Sequence, residues 1–485
     1  MEPSKRRRTG CTECRRKKSK CDEKKPVCTR CTKYPRLCSY ELSIKTTEFK
    51  IPKPSMRKKS TSPSSTGSSA SQLTAPRPSS TPPSPRSPAS SLSEYRLTPF
   101  PSIQSTQRRF YLHHFITHTA TIYFPLQPDA LLHFAIPVAE SSPAMLAAIL
   151  AASCNHFFRL RGFQDARNAA TEATVQSLSR LREAIPTSRL RGESPALLAT
   201  SLMLATTCLC VGDTTTYRQH LNGALHIVQR DGEQHQSDPL WSLGLKWLTH
   251  LILMNRISGL PLPTQQKTGA LDWAPLLISL PGPGQIDPVT GLSLDIVTIL
   301  DEICDLSDTP SSPSKQSTSP DQIPGKDHDT DSVFAVDFPR ERSLEVLLLY
   351  LKSQTPSPDS WTELDYSHYM FINAALISLY RRVDGLPKED GKVQHAVESI
   401  IDSLRHIDQY AEVNIPLLWP LLSAGCEAMT DDQRSMIAGR MMAMTSHGLG
   451  NCRIVQGFMK QYWERGGGLR WDRFAEQIGA DLVLF

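Results

Sequence analysis

Residues 11–38 read CTECRRKKSKCDEKKPVCTRCTKYPRLC. Six cysteines stand at Cys11, Cys14, Cys21, Cys28, Cys31 and Cys38, so the stretch is two copies of C-x2-C-x6-C offset by 17 residues. Thiolates are strong zinc ligands, and structural zinc takes four of them in a tetrahedron. Two separate tetrahedral ions need eight ligand positions, and six thiolates fill them only if one sulfur from each half is shared. Cys11 and Cys28 open their halves and are the natural bridges. Two zinc ions per chain are therefore expected. Six thiolates and two dications leave a net negative charge, which Arg15, Arg16, Lys17, Lys18 and Lys20 offset while lowering the thiol pKa values.

Six cysteines have two other uses. Three disulfides have 15 possible connectivities, but the chain opens Met-Glu-Pro-Ser-Lys-Arg-Arg-Arg without the apolar core of a signal peptide. A nuclear or cytosolic setting keeps thiols reduced. A single zinc would strand two cysteines.

The spacing of all six cysteines, the basic run after Cys14 and Pro26 two residues before Cys28 resemble the Zn2Cys6 binuclear-cluster domain of fungal transcription factors. The resemblance implies a small zinc-nucleated unit with two short helices over residues 11–40. It implies no enzyme, and a double-stranded DNA partner containing a CGG triplet. Such modules place a helix in the major groove; here that helix spans Cys11 to about Lys18. By family position Lys18 reads guanine O6 and N7, which are both acceptors. Lys17 and Arg16 lie beside it, and Arg15 and Lys20 are expected on phosphate.

Charge agrees with that partner. Residues 1–60 hold 20 Lys and Arg against 6 Asp and Glu, a net +14, whereas the whole chain is +6. The basic excess is thus local, as a nucleic-acid binder requires. Residues 1–10 form a basic arm, and Lys5-Arg6-Arg7-Arg8 and Arg15–Lys18 also read as nuclear-import patches, so the expected location is the nucleus.

Residues 41–104 read as a linker. Within 61–93, 24 of 33 residues are Ser, Thr or Pro and none is acidic, a composition that cannot bury enough apolar surface to fold and predicts a disordered tether. No zipper follows the cluster. Leu42, Ile44, Phe49 and Ile51 step by two, five and two, not by the three and four of a coiled-coil seam. Binding as a monomer, or a homodimer formed through the C-terminal part, is expected instead.

Residues 105–485 predict a large all-α domain. Ser142-Pro143 and Ser194-Pro195 each read as Ser N-cap with Pro at the first helical position. Thr430-Asp431-Asp432-Gln433 reads as a capping box. The helix from Ser194 is apolar nearly all round; its threonines argue for a buried core helix and against a membrane span. Arg109–Pro125, Ser141–Gly162 and Tyr217–Gly232 resemble the regulatory domain that follows many binuclear clusters. That resemblance implies a domain able to take a small effector or a partner. Residues 301–338, with 9 acids and 2 lysines, read as an acidic mobile insertion that could contact the transcription machinery.

Catalytic constellations are absent from the sequence: there is no G-x-S-x-G, P-loop or G-x-G-x-x-G. His113, His114 and His118 cluster on a predicted helix; His114 and His118 have metal spacing but lack the acid of a zinc-protease motif, and read as helix-surface or cap histidines. Cys154, Cys208, Cys210, Cys304, Cys426 and Cys452 read as core residues. The resemblance to the binuclear-cluster family implies a sequence-specific RNA polymerase II transcription factor for a metabolic or secondary-metabolite biosynthetic gene set. The alternatives are a repressor without activating function and an enzyme that its cluster brings to chromatin.

Overall fold

A computed structural model describes residues 14, 19, 21–22, 28–32, 103, 105–186, 192–235, 237–259, 274–308, 340–355, 360–466 and 468–484. They fall in two compact units, one within residues 1–88 and one within 89–485. The expectations for the basic arm and the linker lie outside the described residues.

The second unit is helical. Among the described residues its β pairing is one isolated bridge, Ile286 to Ser293. The helices are α1 Thr106–His114, α2 Ala120–Tyr123, α3 Pro128–Ser141, α4 Pro143–Arg161, α5 Gln164–Ala184, α6 Ser194–Val211, α7 Thr214–Asp231, α8 Pro239–Ile257, α9 Ala274–Leu277, α10 Leu294–Asp308, α11 Arg340–Ser353, α12 Glu363–Ser378, α13 Gly391–Leu404, α14 Leu418–Glu427, α15 Asp431–Thr445, α16 Gly450–Arg465 and α17 Trp471–Ile478.

Local chemistry starts several of them. Ser142 Oγ accepts from Met145 N–H at 3.3 Å, Pro143 takes the first turn, and Gly162 ends α4 at φ 73°. Thr430 and Gln433 make the predicted capping box of α15. Thr362 and Asp365 make another ahead of α12.

Packing then follows side-chain size. α5 presents Ala166, Ala170, Ala173, Ser177 and Leu181 to α4, whose facing side is also rich in alanine, so the two backbones approach closely. Ser177 Oγ donates to the Ala144 carbonyl at 3.0 Å across that contact. α6 lies at the centre, against α4, α7 and α8. It has the length and apolarity of a membrane span, yet 83% of it is buried inside the unit, as a core helix should be. The C-terminal end is tied down by Asp481, which pairs with Arg218 and accepts from Thr214 Oγ1 at 2.5 Å, while Leu482, Val483 and Leu484 are buried.

Two expectations need correction. Ser194 does not cap α6; Glu193 holds the N-cap position, and Ser194 Oγ instead donates to Asp231 Oδ2 at 2.6 Å, joining α6 to the end of α7. The acidic insertion does not begin at residue 301. Residues 301–308 are the last turns of α10, where Ile303 and Cys304 are buried and Asp301 and Asp305 pair with Arg256 at 2.8 and 2.6 Å. Residues 309–338 lie outside the described residues.

Candidate metal centre and nucleic-acid interface

In the first unit Cys14 has helical backbone, and Ser19 N–H returns to its carbonyl at 2.9 Å. Cys28 is extended at φ −68°, ψ 151° and leads into a single 3-10 turn, Thr29–Cys31, closed by Cys31 N–H to the Cys28 carbonyl at 2.9 Å. Two intervening residues are what such a turn needs to bring both thiols to one side. Asp22 holds the turn from the other half of the repeat: its carboxylate accepts Thr29 N–H at 3.2 Å and Thr29 Oγ1 at 2.5 Å.

Cys14, Cys28 and Cys31 are buried, and their sulfurs lie within 4.8 Å of one another. The Cys21 and Cys28 sulfurs and an Asp22 carboxylate oxygen form a second group within the same distance. Cys28 is common to both, which is the relation a bridging thiolate must have. The Cys14 and Cys28 sulfurs are 3.7 Å apart; two sulfurs on one tetrahedral zinc at about 2.3 Å would be separated by about 3.8 Å. Burial pushes the Cys28 thiol up, but hydrogen bonds from Cys31, Cys21 and Cys14 outweigh it and leave the group below the usual thiol range. The donors present thus fit zinc. Cys11, Cys38, Arg15, Arg16, Lys17, Lys18 and Lys20 lie outside the described residues.

The other cysteines behave differently. Cys154, Cys210, Cys304, Cys426 and Cys452 are buried in the helical unit and Cys208 nearly so. Burial pushes Cys154, Cys208, Cys210 and Cys452 up to about 12, so these thiols stay protonated.

The histidines depart from expectation. His118 is exposed, but His114 is buried, and its Nε2 lies 3.2 Å from Nδ1 of buried His156 on α4. His156 Nε2 is 3.1 Å from the His447 carbonyl and its Nδ1 is 3.1 Å from Thr119 Oγ1. A partner 42 residues away carries no local signal in sequence.

Comparison with known families decides the identity. The fungal specific transcription factor domain matches residues 110–485, and the fungal Zn(2)-Cys(6) binuclear cluster domain matches residues 9–47. The chain belongs to the fungal specific transcription factor family. A relative, transcription activator AMTR1 of Alternaria alternata, is 64% identical over 33 residues, which is 7% of this chain and 4% of that protein. No solved structure matches. The matched domains are those of DNA-binding transcription factors, and the binuclear cluster domain is one that binds two zinc ions.

Proposed function

We propose that this transcription factor resides in the nucleus and regulates RNA polymerase II transcription by reading CGG-type elements. In this reading all six N-terminal cysteines ligate two zinc ions, with Cys11 and Cys28 bridging. Lys18 reads the guanines, Lys17 and Arg16 flank it, and Arg15 and Lys20 hold phosphate. The observation that carries the reading is the membership of Cys28 in both ligand groups, one with Cys14 and Cys31 and one with Cys21 and Asp22, in keeping with a thiolate shared between two tetrahedral ions. Lysine at the groove end of the helix suits the two acceptors of guanine.

The target set is metabolic or biosynthetic, and the output is activation, in keeping with the description of the AMTR1 relative as a transcription activator. Binding occurs as a monomer or as a homodimer made by the helical domain, since no heptad seam follows the cluster. The helical domain regulates, and residues 309–338 contact the transcription machinery.

Lys18→Ala tests the reading directly. Discrimination between a CGG site and a scrambled site should fall by about 1–3 kcal/mol in binding titrations, with two zinc ions still present by metal analysis. An unchanged ratio removes Lys18 from base readout, and one zinc per wild-type chain sinks the bridged cluster.

A further inference from the structure

We propose that the outward face of α11 is the surface through which a second copy of this chain binds, the two α11 helices packing antiparallel about a two-fold axis. This rests on the homodimer form of the reading above and names its interface.

α11, Arg340–Ser353, is apolar on two opposite sides. On a 3.6-residue period Leu344, Leu348 and Leu351 fall together and pack against the core. Val346, Leu347, Leu349 and Tyr350 fall on the other side and are 64%, 48%, 46% and 58% exposed. A helix apolar on both sides is expected to be covered on both. Elsewhere among the described residues, exposed large apolar side chains stand alone in sequence or, on α5, as the pair Val175 and Leu178.

The helix cannot turn to hide this strip. Glu345 accepts from the Tyr380 hydroxyl at 2.9 Å, and Lys352 Nζ donates to Asn373 Oδ1 at 2.8 Å. These bonds fix one edge of α11, and buried Leu344 and Leu348 fix its inner side.

The order of residues in the strip selects a copy of itself. Antiparallel helices set residue i against residue j with the sum of i and j constant. With the two-fold axis at the level of Leu348, Val346 meets Tyr350 of the second copy, a small side chain against a large one, and Leu347 meets Leu349. Ser343 then meets Ser353, and Arg342 meets Gln354, whose amide oxygen is an acceptor for the guanidinium. No like charges face each other. An apolar centre with polar ends is the anatomy of a protein interface, and antiparallel helix dipoles attract.

The four side chains offer on the order of 400 Å² per copy, the size at which an apolar patch on a monomer is often functional. Both copies, with the polar ends, bring the interface to about 1,000 Å², at the weak end of specific interfaces. Dimer and monomer should therefore exchange at micromolar concentrations. Such a dimer brings two cluster segments to one DNA molecule without a coiled coil, and raises the local concentration of the second beside a neighbouring triplet.

Sedimentation velocity of the full, zinc-loaded chain over a concentration series reads the dimer directly. Wild type should pass from monomer to dimer through the micromolar range. Leu347→Glu and Tyr350→Glu should each raise the dissociation constant at least about tenfold, with helix content by circular dichroism unchanged because both side chains face outward. Val175→Glu, on the exposed pair of α5, should leave the constant as in wild type. Val346→Lys mixed with Tyr350→Glu should associate more tightly than either variant alone, because the antiparallel register sets the new charges against each other. A wild type that stays monomeric throughout overturns the interface, whatever else covers the strip, and leaves the monomeric form of the DNA reading intact. A wild-type dimer that both glutamate variants leave unchanged also overturns it, and places the homodimer on another surface. No gain on mixing overturns the antiparallel register.

Discussion

His114 and His156 are held neutral inside the helical unit, and that has a consequence for stability. Burial lowers both below the ordinary histidine value of 6.5, to about 3 and about 4. A histidine depressed in the folded state contributes its full stability above 6.5, and loses it as pH falls toward the folded value, because the unfolded chain then binds protons that the folded chain excludes. Two such groups steepen the fall by up to about 2.7 kcal/mol per pH unit between those limits. Thermal melts of the protein carrying only its two zinc ions should show midpoint falling from pH 6.5 to pH 4. His156→Gln should flatten that slope; a slope identical to wild type contradicts the assignment. The pair also shows where sequence stops speaking. His114 and His118 were visible as an i, i+4 pair, but His156 lies on α4, and only tertiary packing made His114 buried. Asp22 was equally silent: a lone acid in a basic run gives no hint that it caps the turn at Thr29. The cysteine spacing, by contrast, encodes its geometry locally.

The helices were legible where a short-range interaction starts them. Ser142-Pro143 and Thr430–Gln433 each place a side-chain oxygen within three residues of the amide it satisfies. Ser194-Pro195 has the same pattern but a different outcome, because buried Asp231 at the end of α7 draws the Ser194 hydroxyl away. Residues 301–308 misled for a related reason: their acids suggested a solvated segment, whereas Arg256 pairs two of them and Ile303 and Cys304 supply an apolar face. Contacts between helices set tighter limits than starts. Gly450, the first residue of α16, meets α6, and a Cβ there would lie 2.6 Å from the Cys210 carbonyl oxygen and 3.1 Å from the Val211 carbonyl carbon. Backbone cannot rotate aside as a side chain can. Gly450→Ala should therefore force α16 off α6 and cost about 1–3 kcal/mol, the usual range for overpacking. Urea denaturation checks it, with Gly439→Ala as the control: nothing lies within 4 Å of a Cβ at that position. Equal midpoints for the two variants would mean that the α6–α16 contact yields freely.

On the scale of the whole molecule, charge is divided by region. Residues 1–60 carry +14 of a chain whose sum is +6, so the remainder is −8. A duplex attracts the first region and repels the second, which leaves DNA affinity to the basic segment. Each phosphate that a lysine or arginine neutralises releases counterions, and log K should fall linearly with log salt with a slope of about −0.9 per contact. Arg15 and Lys20, proposed to hold phosphate, should have a distinct signature from Lys18, proposed to read guanine. Arg15→Ala or Lys20→Ala should weaken CGG and scrambled sites alike and make the slope shallower by about 0.9 each. Losing the Lys18 base contact should instead change the ratio between the sites. Fluorescence anisotropy at several salt concentrations measures both quantities on the full chain. If Arg15→Ala and Lys20→Ala leave the slope untouched, neither side chain faces phosphate, and the charge of this segment acts only as a long-range field that brings the protein to DNA.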